Sequence, residues 1–292
     1  MSKDQAYLVV GGDSLVGSSL VAALRARGHL AYETTRRANT LDNYRLFLDF
    51  ENETDFQMPK KIDYVYVVAA ATNYDRCEKD PMAHKINVEL IPRLIEKFLK
   101  RDIFVTFIST NTVFGGERPW PNEDDPHDPR IHYAKQKNLA EIAVQHCAKI
   151  NNAKHNLNIV RLTKILDLDT EPIPAWRSSW KKGEVVTPFL DLIFAPMSIQ
   201  FVGNALAVIG EKRISGNLHL SGFENINYSE FAQLIAKKMG VAQSLICPTT
   251  ATTCGIHIAF KPAYSGLAML RTTQLTGIEP QKIDSVIADI FQ

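Results

Sequence analysis

Tyr133 and Lys137, in the segment YAKQK, stand four positions apart. On a helix that spacing puts both side chains on one face. A phenol beside an ammonium can hand a proton to an oxygen on which negative charge is building, as when hydride reaches a carbonyl carbon. The ordinary phenol pKa of about 10 is too high for easy exchange at neutral pH, and a neighbouring ammonium would lower it by favouring phenolate. The same spacing arises by chance on lysine-rich helices, where the ring packs against a loop and the amine is solvated. What the rest of the chain sets beside the pair decides between these readings.

A second chemistry lies at the other end of the sequence. GGDSLVG separates the apolar run YLVV from SSLVAALRARG. A turn from a first strand into a first helix brings backbone N–H groups to a dinucleotide pyrophosphate, and small residues permit the approach. Gly11 and Gly17 keep the outer places of a three-glycine spacing, and Ser14 occupies the middle one. Gly11, Asp13, Ser14, Leu15, Val16 and Gly17 are therefore the expected pyrophosphate-side residues. The end of the second strand selects the cofactor, because an acid there binds a ribose 2′-hydroxyl whereas arginine pairs with a 2′-phosphate. The chain reads TTRR, with Thr35 about where the acid belongs and Arg36 and Arg37 following, which favours NADP (as NADPH) over NAD. Glu33 dissents, unless strand alternation turns it away. Asp49 and Phe50, after a third strand, would frame the adenine, and Ala69, Ala70 and Ala71 would lie along the cofactor, where small side chains permit close contact.

Positioning these groups requires a parallel sheet. The first 160 residues alternate aliphatic runs with stretches of helical period, the pattern of an α/β, Rossmann-type doubly wound fold. Strands are expected at YLVVGG, HLAYETT, RLFLDF, DYVYVVAAA, IFVTFIS and LNIVRLTKI. The helix from about Met82 to Lys100 carries Ile86, Leu90, Leu94, Ile95 and Phe98 on one stripe, with Pro92 kinking it or freeing a carbonyl. The helix containing YAKQKNLAEIAVQHCAKI is expected to bury Leu139, Ile142, Ala143 and Ile150. GGERPWPNEDDPHDPR is a long polar loop of the kind that often carries function. We place a dinucleotide-binding domain over 1–165 and a smaller, mainly substrate-binding lobe over 166–292, with about 198–222 returning to the first domain. GNLHLSG reads as a strand, and the helix after Asn227 has a capping-box start and a stop at Gly240.

Composition narrows the partners. Of 292 residues, 33 are Lys or Arg and 32 are Asp or Glu, a formal net charge of +1 without a long run of either sign. Nothing there suggests nucleic acid or an acidic membrane. Cys77, Cys147, Cys247 and Cys254 form neither a CxxC pair nor a zinc spacing, so reduced, structural thiols and no metal are expected. MSKDQ lacks the basic and apolar regions of a signal peptide, and VYVVAAA is too short to span a bilayer, so cytoplasmic residence is the expectation. A homodimer stays open.

In several segments taken in order, the chain resembles the extended short-chain dehydrogenase/reductase family, in its dTDP-4-dehydrorhamnose reductase-like group. GGDSLVG, TTRR, AAATNYDRCEKDP with a later INVE, STNTVFGG, YAKQKNLAE, and APMSIQFVGNAL followed by LHLSG carry the resemblance over nearly the whole chain. It implies that Thr110, Tyr133 and Lys137 are catalytic, with Ser109 a weaker candidate than Thr110. It also implies that Lys137 binds nicotinamide ribose hydroxyls and that Tyr133 touches the cofactor. The substrate would be a nucleotide-activated 4-keto-6-deoxy sugar, with Thr72, Asn111 and Thr112 lining its pocket. Trp176, a substrate-binding candidate by its ring alone, reads equally as core packing. Members commonly read STDYVFDG where this chain reads STNTVFGG, so Asn111 replaces an acid and Thr112 a ring. Asn111 cannot ionise, which disfavours dehydration. Two alternatives remain: a sugar-nucleotide epimerase, and a non-catalytic NADP-binding regulatory subunit similar to that of methionine adenosyltransferase.

Overall fold

The computed structural model describes residues 5–51 and 56–292, so the MSKD start lies outside the described residues. In chain order the first elements are β1 (Ala6–Val10), α1 (Leu15–Ala26), β2 (Leu30–Thr35), β3 (Arg45–Phe47), β4 (Tyr64–Val67), α2 (Tyr74–Lys79), α3 (Pro81–His84), a π-helical segment (Lys85–Leu90), α4 (Ile91–Leu99), β5 (Phe104–Thr110), α5 (His132–Ile150) and β6 (Leu157–Leu162). There follow β7 (Lys164–Leu166), α6 (Ile173–Lys181), β8 (Ile193–Phe194), β9 (Pro196–Ser198), α7 (Ile199–Lys212), β10 (Gly216–Leu220), β11 (Ile226–Asn227), α8 (Tyr228–Met239), α9 (Leu270–Thr276) and α10 (Ile283–Ile290).

Seven of the strands form one sheet in the order β10-β6-β5-β4-β1-β2-β3, and every pairing in it is parallel. Both faces are covered, which is why its strands are buried at every position of β1, β4, β5 and β6. Alternate residues serve alternate faces. Leu8, Val10, Val65, Val67, Val105 and Phe107 meet α4 and α5. Tyr7, Val9, Tyr64, Tyr66 and Ile108 meet α1 and α7. The order of connection reverses between β1 and β4, and in an open parallel sheet the crevice at that switch point receives ligands.

A third apolar cluster gathers Leu166, Ile173, Trp176, Trp180, Phe194, Phe231, Ile235 and Val286. The chain leaves the sheet for it after Thr163, returns at Ser198 into α7, and leaves again after β10. Asn227 caps α8 in a reciprocal capping box with Glu230, and Gly240 ends that helix in the left-handed conformation.

Two expectations about helices change. Pro92 does not kink a uniform helix, because the π-helical segment before it widens the turn, and the Ile91 N–H reaches the carbonyl of Ile86. α5 buries Ala134, Gln136, Lys137, Ala140, Glu141, Val144 and Ala148. Leu139, Ile142 and Ile150 are instead exposed, and Ala143 is half-buried. Hydropathy alone named the wrong face, because the buried polar groups have partners across the sheet. All four cysteines are thiols, with Cys77 buried and Cys247 and Cys254 exposed. Among the described residues, no helix is long and apolar enough to cross a membrane.

Candidate active site

The glycine turn is built as a cradle. Gly11 has φ +99°, and a Cβ there would stand 2.8 Å from the backbone nitrogen of Ala69, at the end of β4. A Cβ at Gly17 would fall 2.2 Å from the carbonyl oxygen of Gly11. Ser14 replaces the middle glycine with a function of its own. It is the N-cap of α1, accepting from the Gly17 N–H at 3.0 Å and donating to the Gly11 carbonyl at 2.8 Å. The Gly17 N–H is thereby engaged within the turn, while Leu15 and Val16 open the first turn of the helix.

Beside this turn runs a cleft of about 650 Å³ lined by Gly11, Asp13, Ser14, Thr34, Thr35, Arg36, Arg37, Asp49, Phe50, Ala69, Ala70, Ala71 and Thr72, among others. Leu15, Val16, Gly17, Tyr133 and Lys137 are not among the residues lining it, whereas sequence-expected residues from four separate segments do meet in this one place. Their small side chains and backbone approach fit a dinucleotide. Glu33, the dissenting acid, is turned away: its Oε2 lies 2.4 Å from where a Cβ on Gly12 would be, and the residue is 7% exposed. Thr35 does not present a free hydroxyl, because its Oγ donates to Asp13 Oδ2 at 2.6 Å.

At the carboxyl end of β5, Thr110 is buried and begins a short 3-10 turn. Its hydroxyl lies 3.1 Å from that of Thr112 and forms a hydrogen bond with the Tyr133 phenol that favours phenolate. The expected acidification of Tyr133 by Lys137 is not what the geometry produces. Burial raises the Tyr133 pKa well above its ordinary value, the nearby Tyr74 and Cys77 raise it further, and only the Thr110 bond opposes them. Lys137 Nζ donates instead to the Ile108 carbonyl at 2.7 Å and sits 3.9 Å from the centroid of the Phe107 ring. Its pKa is pushed down to about 7 by burial, with Glu141 opposing.

Further side chains complete the surroundings: Tyr74 and Glu141, which sequence reasoning did not single out, and Asn87, which it read as tying backbone across the strands and not as reacting. Tyr74 stacks on Tyr133, ring centroids 5.5 Å apart. Glu141, one further turn along α5 from Lys137, receives Ser109 Oγ at 2.5 Å and Arg161 at 2.8 Å. The Tyr133, Lys137, Glu141 repeat of four was legible in YAKQKNLAE; its partner Arg161 was not. Ser109 is thus committed to Glu141 and not to the cleft. Asn87 holds both the N–H and the carbonyl of Ala71 at 2.9 Å and also donates to Gln136 at 2.8 Å, pinning the loop after β4 to α5.

One pocket expectation is corrected. Trp176 is 7% exposed and packs with Trp180, Tyr228 and Phe231 in the third apolar cluster, so it is a core residue there. Asn111 directs its amide to the Ser265 carbonyl at 2.8 Å and Oγ at 2.9 Å, fastening the segment before α9 against the end of β5. His127 pairs with Asn138 at 2.6 Å, and His132 is the exposed first residue of α5. Among the described residues, no cluster of His, Cys, Asp or Glu could hold a metal ion.

The family model described as RmlD substrate binding domain matches residues 5–292. A curated relative, the probable low-salt glycan biosynthesis reductase Agl14 of Haloferax volcanii, is 26% identical over 82% of this chain and 81% of its own. The dTDP-4-dehydrorhamnose reductase of Bacillus anthracis, solved with NADP, superposes with a TM-score of 0.80 at 17% identity, covering 100% of this chain and 99% of that one. MoeE5, solved with UDP-glucose and NAD, gives 0.79 at 19% identity over 97% and 96% of the two chains. At these identities the structural likenesses establish the fold.

Proposed function

The chain belongs to the family described as RmlD substrate binding domain and is an NAD(P)-dependent oxidoreductase; from this premise we propose that it reduces the keto group of a nucleotide-activated 4-keto-6-deoxy sugar, in the cytoplasm and with NADPH. The observation that carries the reading is the position of Tyr133, which pairs with Thr110 at the end of β5 and packs, half-buried, against the Ala71 and Cys77 cluster, Ala71 also lining the cleft that begins at the glycine turn.

A nicotinamide cofactor supplies the hydride. Tyr133 supplies the proton, and burial helps it, because a phenol whose pKa is raised keeps its proton until an oxyanion forms beside it. Thr110 and Tyr133 orient the substrate carbonyl, and Thr112 fixes the Thr110 hydroxyl. Lys137, held by Ile108, would take the ribose hydroxyls of the cofactor. Gly11, Ser14, Leu15 and Val16 would hold the pyrophosphate, Arg36 and Arg37 the 2′-phosphate, and Asp49 with Phe50 the adenine. Thr72 and Tyr74 face the sugar side, with the lobe of residues 166–292 closing over it. The exposed Leu139, Ile142 and Ile150 stripe supports a homodimer.

The test is NADPH oxidation with a panel of nucleotide 4-keto-6-deoxy sugars, run on the wild type and on Tyr133→Phe, with NADPH binding measured separately. Turnover abolished by Tyr133→Phe while binding persists is the expected result. Cofactor retained through purification without net oxidation would favour an epimerase. Binding without turnover, together with a co-purifying enzyme, would favour a regulatory subunit.

A further inference from the structure

Asp13 stands in the glycine turn, yet its carboxylate points to the end of β2. Oδ2 accepts from the Thr35 hydroxyl at 2.6 Å, Oδ1 accepts from the Arg45 guanidinium, and Arg37 Nε lies 3.9 Å from Oδ2. Arg45 is itself held by Thr40 at 3.0 Å and by Glu33 at 3.4 Å. Arg37 is the loosely held member, with its side chain 67% exposed. Asp13, Thr35, Arg36 and Arg37 line the same stretch of the cleft. The end of the second strand is where this fold discriminates a ribose 2′-hydroxyl from a 2′-phosphate.

We propose that Asp13 is a specificity-determining residue of the cofactor site, acting as a built-in counter-charge that competes with a 2′-phosphate for Arg37. This rests on the oxidoreductase reading and deepens it. Both oxygens of the carboxylate already have donors, so Asp13 acts as an anion among cations and not as an open acceptor waiting for a ribose hydroxyl. A phosphate entering beside it meets like charge and must draw Arg37 away; a plain 2′-hydroxyl carries no such penalty. Asp13 thus keeps the preference for NADPH over NADH smaller than the arginines alone would make it.

The experiment titrates the protein, prepared without nucleotide, with NADPH and with NADH, following binding directly. Asp13→Asn keeps the shape and an acceptor for Thr35 but removes the charge. It should tighten NADPH by about tenfold and change NADH by less than about twofold, with the gain shrinking as salt is raised. Adding Arg37→Ala to Asp13→Asn should abolish the gain, because Arg37 is the cation released. Should Asp13→Asn fail to fold, Asp13→Ser carries the same comparison. Unchanged NADPH affinity, equal tightening of both nucleotides, or a selective loss of NADH binding would each overturn the proposal. Wild-type protein that binds neither nucleotide would sink the oxidoreductase reading itself.

Discussion

Glu141 and Arg161 form a fully buried ion pair, each side chain 1% exposed, with the guanidinium nitrogens 2.8 to 3.2 Å from the carboxylate oxygens. Arg161 also donates to the carbonyl of Glu123 at 2.9 Å and to His219 Nε2 at 3.1 Å. The pair joins α5, which carries Tyr133 and Lys137, to β6.

Removing one member leaves the other charged in a dry interior. Glu141→Gln is expected to lower unfolding stability by about 3–5 kcal/mol, measured by urea denaturation. The double replacement Glu141→Leu with Arg161→Met should cost clearly less, because no uncompensated charge remains. A single variant as stable as the wild type would show that the pair contributes nothing to stability.

Lys137 should titrate near neutrality. Burial, with Glu141 opposing, brings its pKa down to about 7 from 10.5. Between those values the unfolded chain binds a proton that the folded chain does not, so this group's contribution to stability rises with pH over that window and is flat below it. Carbon-13 NMR of reductively methylated protein, with Lys137→Met to assign the signal, would follow it directly. A Lys137 signal titrating near pH 10 would refute the expectation.

His219 provides a separate acid response. Burial first, and then the Arg161 guanidinium, push its pKa down to about 3. Its ring accepts from Arg161 and bonds to the Ala268 carbonyl at 2.9 Å, an arrangement that requires the neutral form. The stability tied to that neutral ring is present above pH 6.5 and is lost as pH falls towards 3, on the order of 5 kcal/mol at full extent. Urea midpoints of wild type and His219→Gln, compared from pH 7 to 4, should show a shallower slope for the variant. Parallel slopes would assign the acid sensitivity elsewhere.

The parts of this molecule that were readable in the sequence are those fixed by local pattern. Apolar runs bounded by turns gave the strands, and GGDSLVG gave its turn, because a strand, a glycine and an amphipathic helix are contiguous. Ser14 looked like a departure in sequence; in three dimensions it is a helix cap. The candidate catalytic residues are likewise each held on a single element: Thr110 on β5, and Tyr133 with Lys137 on α5. What was missed depends on partners distant in sequence. Glu141 and Gln136 are buried because Arg161 and Asn87 meet them, so polar side chains sit on the buried face of α5 while Leu139, Ile142 and Ile150 stay exposed. Trp176 reads as a ligand-stacking residue until Trp180, Tyr228 and Phe231 are seen around it. Asp13 reads as a pyrophosphate-side residue of the glycine turn until Arg45, from a different strand, is seen beside its carboxylate.

The repeated passage of the chain between the sheet and the third apolar cluster, at Thr163, at Ser198 and after Leu220, has a mechanical consequence. Swinging one body against the other would require bending the backbone at all of these crossings together. The mouth of the cleft is therefore set by the fold. Admission of a ligand falls to rotamer changes in exposed side chains lining the cleft such as Arg37, motions of nanoseconds and not of milliseconds. Ligand entry should then run at the pace of diffusional encounter, without a slow opening step ahead of it.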